Sequence, residues 1–130
     1  MGLPSSDLDD FYRFFRISGM GKYLKRPLFF NLLIKMSGHC GGGVGAHMIG
    51  QTGAETTTLD PQHNVLLRMV DWVENGNAPE TVTGTKYVND DPTQGVAFVR
   101  NHCKYPARNV YVGPQNYTSP DAWECITDSF

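Results

Sequence analysis

Apolar positions recur at helical spacing in one long stretch of this chain, DPQHNVLLRMVDWVENG, residues 60–76. Val65, Leu66, Met69, Trp72 and Val73 fall on one face of a 3.6-residue helix, the pattern of an element that covers a sheet. Asp60 stands where a cap belongs, Pro61 at the first helical position, and Gly76 where a helix stops. Trp72 then reads as core. Near the start, Ser6 precedes Asp9 at the spacing of an N-terminal cap with an acidic partner. Leu8, Phe11, Phe14 and Phe15 continue it as a short helix, although RFFRI (13–17) also reads as a strand running into the glycine turn SGMG. Helix, strand and glycine turn in succession are the habit of α/β proteins. Further on, TVTGTKYV (81–88) and NVYVG (109–113) predict strands and DDPTQG (90–95) a turn. The tail PQNYTSPDAWECITDSF (114–130) predicts a loop or short helix.

Residues 22–37 fit none of this. Pro27 interrupts a helix, and LFFNLLI (28–34) reads as a buried strand or an aggregation-prone segment. The block separates SGMG from GHCGGGVGA, which look like two halves of one loop.

Composition narrows the classes. The chain has 130 residues, 40% hydrophobic and 18% charged, with a formal net charge of -2. That is one small globular domain, neither disordered nor collagenous. Its only basic run, Lys22, Lys25, Arg26 and Lys35, lies in the odd block, so no stripe is available for a nucleic-acid partner. No apolar run approaches the ~20 residues that cross a bilayer, so no membrane partner is expected. The opening MGLPSSDLDD lacks the basic start and apolar stretch of a signal peptide. The cysteines point the other way. Cys103 and Cys125 lie in a segment where a disulfide fits, and Cys40 is left over. Asn116 in NYT fits a glycosylation acceptor. Together these suggest a secreted parent protein that extends beyond this chain.

His39 is the candidate for chemistry. It follows a strand-like segment and a glycine turn, adjoins Cys40 and precedes three glycines. A catalytic base needs such a loop on a rigid support with little bulk around it; a surface histidine with no role is the other reading. A metal set of His39, Cys40 and His47 lacks a completing pair, and adjacent side chains diverge. GGGVGA lacks the Lys-Ser/Thr ending of a phosphate loop. His63 reads as solvated and His102 as structural. No GxSxG elbow occurs, so the chain carries no nucleophile for His39 to serve.

DLDDFYRFFRISGMG (7–21), GHCGGGVGA (38–46), LDPQHNVLLRMVDWVENGNAPETVTGTKYVND (59–90) and HCKYPARNVYVGPQNYTSPDAWEC (102–125) together resemble the C-terminal part of the fungal tannase and feruloyl esterase family. The resemblance implies an α/β-hydrolase fold, of which residues 1–130 would be a C-terminal fragment with an incomplete sheet. It implies a secreted, serine-dependent carboxylic ester hydrolase whose substrates are phenolic esters such as gallates or feruloylated sugars. His39 would be the catalytic histidine. Cys40 would bond a cysteine beside the nucleophilic serine, and Cys103 would pair with Cys125. The serine, its cysteine neighbour, the acidic triad member and a lid with its calcium site would all lie upstream. No cofactor is expected within these residues, and the fragment alone is expected to be inactive. The alternative is a non-catalytic interaction or structural module, or the product of a decayed gene.

The resemblance also separates out the odd block. Removing residues 22–37 with one flanking glycine restores FFRISGMGHCGGG, the family's continuous loop. GKY (21–23) is encodable with a strong intron start and SG (37–38) with an intron end, both cuts falling after the first base of a glycine codon. Residues 22–37 are therefore expected to be a translated, retained intron.

Overall fold

The structure, a computed structural model, describes residues 4–19, 43–50 and 60–127. His39, Cys40 and the block 22–37 lie outside the described residues.

The described chain opens with a single helical turn, α1 (Ser5–Leu8), followed by an extended stretch to Gly19. Ser6 lies inside that turn and bonds Asp7 at 3.3 Å, so the expected Ser6 cap does not form; Pro4 holds the cap position instead. The strand reading of RFFRI is met in part, as Phe15 bridges Lys104 in antiparallel fashion and the Tyr105 N–H donates to the Phe14 carbonyl at 2.8 Å.

Helix α2 (Val65–Asn75) starts later than Asp60 and Pro61 suggest. Asn64 is its cap, accepting from the Leu66 and Leu67 N–H groups at 3.0 and 3.3 Å. Asp60 instead organises a preceding turn, accepting from the Gln62 N–H at 2.9 Å and pairing with His63 at 2.7 Å. Gly76 ends the helix in a left-handed conformation, as expected.

Four strands follow: β1 (Thr81–Tyr87), β2 (Val96–Cys103), β3 (Arg108–Tyr111) and β4 (Trp123–Ile126). They form two antiparallel pairs, β1 with β2 and β3 with β4. Strand β2 was not foreseen, because VAFVRNHC mixes charge and apolar residues on both faces. The tail holds a helical turn, Pro120–Ala122, and then the unforeseen β4. The expectation of an incomplete sheet is met in this coarse sense: among the described residues, two small antiparallel sheets replace any larger one.

Several contacts join the two sheets, among them the Asn109 side chain of β3, which accepts from the Cys103 N–H at 3.2 Å and donates to the Asn101 carbonyl of β2. The disulfide Cys103–Cys125 links β2 to β4. Arg100 of β2 is buried with its guanidinium 3.8 Å from the centre of the Trp123 ring, and it donates to the Tyr117 carbonyl at 2.6 Å. Burial lowers its pKa, yet the group stays cationic, and the rings of Trp123 and Phe98 are what receive the charge.

Helix α2 departs from expectation in its packing. None of its residues is buried; Leu66 is 69% exposed and Val73 81%. Trp72 is half-buried under the Arg13 guanidinium, 5.3 Å from its ring centre, rather than in an apolar core. The helix is tied down at its start, where the Val65 N–H donates to the Ile49 carbonyl at 2.9 Å.

The Cys103–Cys125 crosslink spans 22 residues. A closed loop of that size restricts the unfolded chain by about 3 kcal/mol. Cys125→Ser should lower unfolding stability by about that amount, read from urea titrations of oxidised wild type and variant.

Candidate active-site loop

Residues 43–50, just downstream of His39 and Cys40, are the hub of the described structure. Ala46 is wholly buried and His47 nearly so, unusual for a segment this rich in glycine. Five contacts fix the loop to four different parts of the chain. The Gly45 N–H donates to the Gly19 carbonyl at 3.1 Å. Met48 and Thr85 exchange both backbone bonds, at 3.1 and 2.8 Å, so the loop pairs with the free edge of β1. His102 of β2 meets the Ala46 carbonyl through Nε2 at 2.6 Å. Lys86 of β1 donates to the Gly43 carbonyl and also pairs with Asp90. The Ile49 carbonyl receives the first N–H of α2.

Two glycine contacts explain how backbone gets this close. A Cβ on Gly84 would lie 2.0 Å from the Ala46 oxygen and 2.5 Å from His102 Nε2. A Cβ on Gly19 would lie 2.4 Å from the Gly45 Cα, and one on Gly45 2.6 Å from the Gly19 Cα. Main chain therefore lies directly on main chain at both places, and no side chain fits between. The chain before the block 22–37 and the chain after it thus meet backbone to backbone.

The strand-like segment that ends at Gly19 is held by charge. Arg13 donates to the Pro79 carbonyl at 2.8 Å and to Glu80 at 2.6 Å. Lys104 pairs with Asp9 at 2.5 Å and Glu80 at 3.2 Å. Burial acts to raise the Glu80 pKa, but hydrogen bonds and charges from Arg13 and Lys104 outweigh it and hold the carboxyl below its ordinary value.

Of the residues singled out from sequence, Cys103 and Cys125 are brought together as a disulfide. Asn116 is exposed, its side chain accepting from the Thr118 N–H at 3.2 Å in a local turn. His47 is buried against the Gly45 carbonyl at 3.0 Å, and its proposed partners in a metal set, His39 and Cys40, lie outside the described residues. Among the described residues no three of His, Cys, Asp and Glu converge on a metal position. His63 is half-buried and paired with Asp60, in the turn before the helix rather than on it. His102 is structural, as expected, and fully buried. The parts played by Gly84 and Lys86 were missed. Gly84 could have been found, since a glycine inside a strand signals the close approach of another backbone.

A cavity of about 190 Å³ lies between the start of α2 and the β1–β2 sheet, lined by Gln62, Arg68, Thr81, Thr83 and Asn101 among others. Among the described residues its lining includes neither histidine nor carboxylate, nor any of residues 43–50.

The chain as a whole is similar to solved esterases. The chain superposes on an esterase from Aspergillus oryzae with a TM-score of 0.74 and 44% identity, covering 95% of this chain and 21% of that one. Feruloyl esterase B from the same organism gives 0.72, with the same identity and coverage. A probable feruloyl esterase B-2 of Aspergillus terreus is 50% identical over 126 residues, and a probable feruloyl esterase B of Aspergillus clavatus 46%. The alignment covers 97% of this chain and 20% of each of those proteins. The model of the Tannase and feruloyl esterase family matches residues 3–126, and the chain belongs to that family. It spans about a fifth of the length of these relatives.

Burial holds the His102 pKa below the 6.5 of a free histidine, more than offsetting the opposing effect of its bond to Ala46. The unfolded chain then binds the proton more readily than the folded one. The stability this contributes is whole above 6.5 and is lost as the pH falls through the folded value. The urea midpoint of wild type should fall on acidification below about 6.5 more steeply than that of His102→Gln. Parallel pH profiles for the two would contradict this.

Proposed function

We propose that this chain is the C-terminal part of a secreted, serine-dependent carboxylic ester hydrolase acting on phenolic esters, with His39 as its general base. One observation carries the reading. The loop downstream of His39 and Cys40 is buried at its centre, residues 45–47, and fixed at five points within a body that matches feruloyl esterases over nearly its whole length. Such fixing is what a base placed to within a fraction of an ångström requires. His39 takes the proton from a serine as it attacks the ester carbonyl, then returns it to the departing alcohol. Water activated by the same imidazole releases the phenolic acid. The serine, a cysteine partner for Cys40, the orienting carboxylate, and the lid with its calcium belong to the four-fifths of the relatives' length that this chain does not span. The Cys103–Cys125 bond suits an oxidising, extracellular setting, as does Asn116 as a glycan acceptor.

The exposed face of α2, with Leu66, Met69 and Val73, supports the view that the chain alone is not the working unit. The same face would serve a non-catalytic interaction module, the second reading. The block 22–37 belongs to neither. We read it as a translated intron, supported by the contact between Gly19 and Gly45 on either side of it. Between the preceding strand segment and His39, such a block would misplace the base.

The test is a fusion of this chain to the upstream part of Aspergillus oryzae feruloyl esterase B, made with and without residues 22–37 and assayed on methyl ferulate. The fusion lacking the block should hydrolyse the ester, the one retaining it should not, and His39→Ala should reduce the rate by on the order of 10³-fold or more. An inactive fusion in both forms, with the chain instead capturing an unrelated partner through α2, would favour the module. Transcripts that retain the block at every read would refute the intron.

A further inference from the structure

We propose that His102 is a positioning residue for this reaction. Through its bond to the Ala46 carbonyl it sets the register in which the loop leaving His39 lies on β1, and so the direction from which His39 enters the site. The inference rests on the reading of His39 as the base.

A carbonyl oxygen only accepts, so Nε2 of His102 carries the proton in its 2.6 Å contact with Ala46. The ring is fully buried, and among the described residues its Nδ1 has no hydrogen-bond partner. A proton relay needs a second partner on the other nitrogen, so this imidazole holds and does not transfer. What it holds is specific. Met48 pairs with the edge of β1 at Thr85 through both backbone bonds, and two residues earlier Ala46 crosses onto the sheet face at Gly84. Val82 is the cross-strand partner of His102, which places the imidazole diagonally beside Gly84. A slip of the loop by one residue would break both Met48–Thr85 bonds and withdraw the Ala46 carbonyl from Nε2. His102 therefore selects one register out of those that a glycine-rich segment could adopt. Gly43, where Lys86 adds its bond, is four residues from His39 in the sequence.

The experiment uses the full chain, 15N-labelled, as wild type, His102→Leu and His102→Gln. Gln keeps an N–H donor near the position of Nε2, and Leu removes it. The imidazole spectrum should show an Nε2–H tautomer. His102→Leu should speed amide exchange at Met48 and Thr85 by roughly 10-fold or more while β3 and β4 keep their wild-type rates, and His102→Gln should restore protection. In the fusion lacking 22–37, His102→Leu should lower kcat by on the order of 10–100-fold with KM within about twofold, and Gln should recover it. An Nδ1–H tautomer would overturn the proposal. So would unprotected Met48 and Thr85 amides in wild type, exchange in His102→Leu that matches wild type or rises equally across every strand, or an unchanged kcat. His39→Ala separates the two readings: it should abolish turnover and leave Met48 exchange alone. If His39→Ala retains turnover, the assignment of the base falls while the exchange data still judge the clamp.

Discussion

The described structure depends on one close approach, the Ala46 carbonyl seated on the backbone of Gly84. With no Cβ at Gly84, the loop can leave the edge of β1 and lie on its face, where His102 reaches the carbonyl. The pairing of Met48 with Thr85 follows from the same placement, and so does the anchoring of α2 through Ile49. A second contact of the same kind, Gly19 on Gly45, brings in the N-terminal segment. Among the described residues the buried centre is thus made largely of main chain, a carbonyl and two histidines, with few large apolar side chains. Among the described residues the buried hydrophobic side chains are small: Ala46, Val82, Cys103 and Ala122. Such a centre depends on hydrogen-bond satisfaction more than on apolar area, because a buried carbonyl left unmet costs about 1–3 kcal/mol.

Charge supplies the rest of the order. Arg13 reaches a carbonyl, a carboxylate and the Trp72 ring at once, and Lys104 closes the set with Asp9 and Glu80. Glu80 is exposed, while Arg13, Lys104 and Asp9 are largely covered. Their effect here is geometric. They fix where the segment ending at Gly19 lies, and so where the chain enters the glycine turn. Arg100 does the corresponding work between the two sheets, its charge received by aromatic faces.

Elements whose signal is local were legible in the sequence. The 3.6-residue period gave α2, β-branched alternation gave β1 and β3, and the Gly76 stop was right. The cap was misread because Asp60 and Pro61 make a convincing start, while the turn they form delays the helix to Asn64. Strands β2 and β4 escaped notice because their stability comes from partners. Arg100 and His102 look wrong for a strand until the Trp123 ring and the Ala46 carbonyl are in place. The glycines after His39 were read as room around a site. For Gly45 the reason is different: it makes room for Gly19. The loop's importance was visible in sequence, but its supports were not, since they come from residues 84–86 and 102, far along the chain.

The uncovered face of α2 is where sequence and structure disagree most, and the disagreement has a physical cause. The apolar pattern was read as a face packed against a sheet; among the described residues nothing buries that face. Leu66, Met69, Val70 and Val73 are all substantially exposed. Burying side chains of this size is worth on the order of 1.5–3 kcal/mol each. The small apolar core of the described residues offers little to offset leaving them in water. Relatives that match this chain are about five times its length, and α2 is fixed at its start by the loop and exposed along one flank. On the proposed reading, the surface of α2 and the register set by His102 are parts of one design. The loop supplies the base from a fixed direction, and the helix faces the larger body that would carry the nucleophile.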